Sequence, residues 1–135
     1  MIVKKAISTS LIALSLSSIT MLAQAGDLDL IIGNFTDKDS TCVINDSACS
    51  TILGADGITK AGDHAHHINE NVIKYAACLG NWENCKADVY MTNNCTGPKI
   101  ATVIFDVNKG VKSITMASAS YKIAASGFTV NISGV

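Results

Sequence analysis

The chain contains no arginine, a single proline, a single tryptophan and only two glutamates among its 135 residues. Without arginine there is no planar guanidinium fork to grip a phosphate or carboxylate through two parallel hydrogen bonds. The ten lysines are scattered and are balanced by eleven Asp and Glu, for a net charge of −1. No basic patch forms, which excludes nucleic acid as a partner. With two glutamates and no Gly-x-Ser-x-Gly turn, neither a paired acid and base nor a nucleophile elbow is present. The chain therefore reads as a protein without catalysis. The remaining enzymatic alternative is a small hydrolase using Cys95 as nucleophile and a histidine as base, which need meet only in space.

The first 25 residues have the build of a cleavable signal peptide. Lys4 and Lys5 are the positive start, residues 11–22 the apolar stretch, and Ala23-Gln24-Ala25 the small residues required at −3 and −1. Seven Ser and Thr between Ser8 and Thr20, and the acidic Gly26-Asp27-Leu28-Asp29 that follows, argue against a membrane anchor. No cysteine follows the small-residue site, so no lipid anchor is expected. Beyond it no apolar run approaches the ~20 residues of a membrane span. The expected plan is a signal peptide over residues 1–25 and one β-rich domain over 26–135, exported to the periplasm or secreted. That domain has eight lysines against eleven acids, a charge of −3, and is long enough for one hydrophobic core. The Lys-only, Asn-rich composition with its short Lys-Lys leader has a bacterial character.

Five cysteines in an exported chain of this size imply disulfides. Cys78 and Cys85 flank six residues, as do Cys42 and Cys49, whose loop includes Asn45-Asp46-Ser47. If residues 86–92 form a strand, Cys85 and Cys95 lie about 30 Å apart at ~3.3 Å per residue and cannot pair. The simplest scheme joins Cys42 to Cys49 and Cys78 to Cys85 and leaves Cys95 free. A bridge from Cys42 or Cys49 to Cys95 is the rival, since long-range bridges constrain the unfolded chain more.

Period-two alternation is clearest toward the C-terminus. Phe128, Val130 and Ile132 oppose Thr129, Asn131 and Ser133; Ala101, Val103, Phe105 and Val107 share a face; residues 111–116 follow the turn Asn108-Lys109-Gly110; and residues 121–125 fit a further strand. These read as an antiparallel meander. Residues 28–35 form a continuous apolar run, 41–45 a short strand, and 86–92 an alternating one. Residues 69–79 read two ways: a helix capped by Asn69 with a stripe of Val72, Ala76 and Leu79 stopping at Gly80, or a strand entering a hairpin with residues 86–92. The hairpin is the preferred reading. The fold class is all-β, a single-domain antiparallel sandwich or partly open barrel, with one short helix near 69–79 as the variant.

All three histidines lie in Asp63-His64-Ala65-His66-His67, with Glu70 close behind. In an extended segment His64 and His66 share a face about 7 Å apart; in a helix His67 would join Asp63 or His64. Such ligands suit Zn or Cu(II), which makes an exported metal-binding protein the alternative to a binding module. The other reading of the cluster is a polar loop facing water. Asp37-Lys38-Asp39 has the opening spacing of a calcium loop, but Cys42 stands where Gly is needed and Ala48 where Glu is, so it reads as a solvated turn. Trp82, in the loop Gly80-Asn81-Trp82-Glu83-Asn84, is the candidate contact anchor.

The leading expectation is an exported β-sandwich that binds a protein, a glycan or a second copy of itself. In the last case the run 28–35 could be donated to a neighbour as a strand. The intact mass of the exported form should begin at Gly26; recovery of the full-length chain in a membrane fraction would overturn the cleavage.

Overall fold

Period-two alternation materialises as nine strands among the described residues, 28–135, of a computed structural model. The signal peptide expected over residues 1–25 lies outside this range. In chain order the strands are β1 (Leu30–Asn34), β2 (Thr41–Ile44), β3 (Ala48–Cys49), β4 (His66–Ile68), β5 (Cys85–Tyr90), β6 (Lys99–Asp106), β7 (Gly110–Met116), β8 (Tyr121–Ser126) and β9 (Thr129–Gly134). They form two sheets, one ordered β4-β1-β9-β8 and the other β3-β2-β5-β6-β7. The protein is an all-β sandwich with no closed barrel, and it is antiparallel apart from one pair.

That pair is β1 and β9, which run parallel with Ile32 beside Val130. The apolar run near the N-terminus is thus a central strand, hydrogen-bonded within the chain to β9 on one side and β4 on the other. The expected C-terminal meander is also divided. β6 and β7 pair in one sheet, whereas β8 crosses to pair with β9 in the other. The sheet edges still meet where the Val111 N–H donates to the Gly127 carbonyl at 2.9 Å.

Residues 69–79 are helical, which overturns the preferred hairpin. Asn69 Oδ1 accepts from the Asn71 N–H at 2.8 Å, so the cap anticipated for the helix variant is made. Helix α1 (Glu70–Val72) passes into one π-turn, Ile73–Ala77, closed by Cys78 N–H to the Ile73 carbonyl at 2.7 Å. The wider turn shifts the apolar stripe by one position. Ile73 and Cys78 are buried, while Ala76 and Leu79 face outward.

Cys78 is joined to Cys85, and the bridge ties the end of this helix to the start of β5 rather than closing a hairpin. The second bridge joins Cys49 to Cys95, not Cys42 to Cys49, and the free thiol is Cys42 rather than Cys95. Strand register is the cause. Cys49 lies opposite Val43 in the β2–β3 pair, so its side chain shares the face of Val43. Cys42, one residue away, projects to the other face. Cys95 reaches Cys49 from a loop fixed by its own N–H, which donates to Thr41 Oγ1 at 2.9 Å.

The two loops differ greatly in length, with separations of 46 and 7 residues. Chain-entropy reasoning gives about 4 kcal/mol for the long bridge and about 2 for the short one. Urea unfolding of the C49A/C95A and C78A/C85A pairs should show the larger loss for the first. Peptide mapping without reduction should recover Cys49 linked to Cys95.

Candidate functional site

The inner face of the larger sheet carries a row of facing residues across three strands. Ile44 of β2 lies opposite Ala87 of β5, which lies opposite Val103 of β6. Alanine at the centre of that row removes volume where the two sheets face each other. The result is a cavity of about 90 Å³, walled by Ile44, Ala87 and Val103 on this sheet and by Ile32, Ile123 and Val130 on the other. Several of these walls, Ile32, Ile44, Ala87 and Ile123 among them, are only half-buried although they point between the sheets.

Several of the polar groups at its margin are already occupied. Thr41 Oγ1 donates to the Thr92 carbonyl at 2.9 Å, and the Ser50 hydroxyl donates to the Gly57 carbonyl. Gly57 is required there, since a Cβ would overlap the Ser50 carbonyl. Ser40 and Thr59 exchange their backbone N–H and carbonyl groups at 2.9 Å.

Outside the cavity lies a shallow groove of about 220 Å³, between the 3-10 segment Ser50–Gly57 and the π-turn. Ile44, Leu53 and Ala77 line both spaces. No charged residue lines the groove. Ile52 and Leu79, also part of its lining, are 72% and 67% exposed, among the most exposed large apolar side chains described.

Cys42 lines the cavity. Burial pushes its thiol up to about 11, with the nearby Ser50 hydroxyl lowering it and the Asp88 carboxylate raising it further.

The sequence-derived candidates lie elsewhere and do not converge. His64 is exposed and stacks on Phe35 with ring centroids 4.2 Å apart. His66 is turned the other way, with Nε2 3.0 Å from the Asp56 carbonyl and Nδ1 3.7 Å from Asp63 Oδ2. His67 is exposed on β4 opposite Ile31. No group of three metal-ligating side chains is assembled among the described residues. Cys95 is bonded to Cys49 and has no thiol to act as a nucleophile. Trp82 is folded back: its indole N–H donates to the Lys74 carbonyl at 2.8 Å and its ring meets Tyr75 edge-on at 5.7 Å. It braces the helix against the 79–84 loop and is not a free anchor. Sequence reasoning missed the groove because Ile52 lies in an irregular segment and the π-turn displaced Leu79 from its expected face. The only available signal was small residues, Ala76, Ala77 and Ala87, at apolar positions.

These features define a class: a small β-sandwich, stapled by two disulfides, with an apolar space between its sheets behind a surface groove. The chain belongs to the NttC family, described as "T2SS substrate NttC", which it matches over residues 4–135. Among solved structures it is similar to the Legionella pneumophila type II secretion system substrate NttC, at 23% identity and a TM-score of 0.63, covering 80% of this chain and 98% of that one. That likeness concerns the fold. No curated protein matches the chain. Family membership makes this an exported protein, and no helix among the described residues is long and apolar enough to cross a membrane.

The raised Cys42 thiol carries a pH dependence. A group whose folded pKa lies above its unfolded value stabilises the fold below the unfolded value, and that contribution is lost as pH rises through the folded one. Stability should therefore fall between about pH 9 and pH 11. Thermal melts across that range should show a shallower decline for Cys42→Ala than for the parent; equal slopes would show that the thiol does not titrate in this way.

Proposed function

We propose that the protein is carried by type II secretion to the outside of the cell and acts there as a binding module without chemistry of its own. The groove between Ser50–Gly57 and the π-turn is its recognition surface. The observation that carries this reading is the pair Ile52 and Leu79, large apolar side chains held largely in solvent on the lining of a concave, uncharged groove. Exposed apolar side chains beside a concavity are a common mark of an interaction site. The state of the cysteines supports the absence of catalysis, since four are bridged and the fifth has a thiol harder to ionise than usual.

Two measurements test the proposal. The mature chain should accumulate in the culture medium of its bacterium and remain in the periplasm when type II secretion is disabled; secretion that continues unchanged would overturn the route. The uncharged apolar fluorescent probe N-phenyl-1-naphthylamine should bind the folded protein, with several-fold weaker binding for Ile52→Asp and Leu79→Asp. Probe binding indifferent to both substitutions would remove the groove as the site.

A further inference from the structure

Resting on that reading, we infer that the ligand is a single-chain amphiphile with an uncharged head, whose linear alkyl tail passes from the groove into the cavity between the sheets. The geometry supplies three independent constraints. First, Ile44, Leu53 and Ala77, all apolar, line both the groove and the cavity, so the two spaces share an apolar boundary. Leu53 belongs to Ser50–Gly57, the segment interrupted at Gly54 by a left-handed φ of 69°, and its displacement would join the two spaces.

Second, the cavity is too small for a bulky ligand. At about 90 Å³ it is smaller than an engineered cavity of ~150 Å³ that takes up benzene. It suits the end of an unbranched chain, the remainder of which would lie along Ile52 and Leu79. Third, the groove offers no cation to a carboxylate and no anion to an amine. Its polar side chains are Asn45, whose amide oxygen already accepts from Lys86 and Asn81, and Ser47, whose hydroxyl suits a neutral hydroxylated head. A fatty acid would leave its charge without a partner there.

The test uses the whole mature protein and three probes below their aggregation limits: 1-decanoylglycerol, decanoate and the compact apolar alcohol 1-adamantanol. Calorimetry should show saturable binding of 1-decanoylglycerol, at least tenfold weaker binding of decanoate, and none of adamantanol. Ala87→Leu should fill the cavity. It should raise the melting temperature while weakening 1-decanoylglycerol at least tenfold, a pairing that general damage to the fold would not produce. Ala87→Val, a smaller change that suits a strand, gives the same comparison if the leucine is too large to fold. Binding of 1-decanoylglycerol unaffected by filling the cavity would overturn the inference and leave the groove as a surface site. Adamantanol or decanoate binding equally well would overturn the selection for a linear, uncharged ligand. Absence of 1-decanoylglycerol binding, with the fluorescent probe still sensitive to Ile52→Asp, would overturn the ligand class while the binding module stands.

Discussion

The register of β2 is the constraint on which the rest of the molecule depends. It is set at the three-residue turn Asn45-Asp46-Ser47 between β2 and β3, where Asn45 and Asp46 both adopt left-handed backbone, with φ of 52° and 56°. These are the demands of a type I′ turn, and Asn tolerates them better than most residues. Asn45 also locks the turn to β5. Its N–H donates to the Lys86 carbonyl at 2.8 Å, and its side-chain oxygen accepts from the Lys86 N–H at 3.0 Å. With the register fixed, Cys42 and Ile44 point between the sheets, while Val43 and Cys49 point away. A slip of one residue would exchange those faces. It would pull Ile44 from the cavity wall and turn Cys49 away from Cys95.

This explains which parts of the fold were legible in the sequence. Ala101, Val103, Phe105 and Val107 are all buried, as alternation alone required, because period-two patterning reports directly on which face meets the core. Cysteine pairing was legible only where the loop was short. The chain spacing of Cys42 and Cys49 is the same as that of Cys78 and Cys85, yet a β-register separates the first pair onto opposite faces while a helix end brings the second together. Spacing counts residues, and it does not count faces. For residues 69–79 the Asn69 cap was the decisive signal, and the period failed because the π-turn follows neither a 3.6-residue nor a two-residue repeat.

The candidate site was less legible still, for a physical reason. Catalytic and metal sites announce themselves through particular residue types, and here those types are dispersed: His64 on Phe35, His66 on the Asp56 carbonyl, Trp82 on the helix. The groove and the cavity are instead defined by small side chains, and a missing methyl group leaves no motif. Ala87 reads in the sequence as an ordinary inward strand position. Only the opposition of Ile44 and Val103, contributed by strands distant in the chain, shows that the sheets do not fill the space between them.

An unfilled interior weakens a domain of this size, and the position of the disulfides bears on how the weakness is contained. The short bridge, Cys78–Cys85, lies at the cavity wall and holds the π-turn against β5. The long bridge anchors the other flank of the groove, since Cys49 immediately precedes Ser50–Gly57 and is tied to the loop beyond β5. Both flanks are therefore fixed covalently where they leave the sheet. The 3-10 segment itself is held through the Ser50 hydroxyl, which accepts from the Cys42 N–H and donates to the Gly57 carbonyl, and through the His66 contact to the Asp56 carbonyl. Local opening draws on the least stable parts of a structure. Leu53 lines both the groove and the cavity, so on the proposed entry route it is the side chain that has to move.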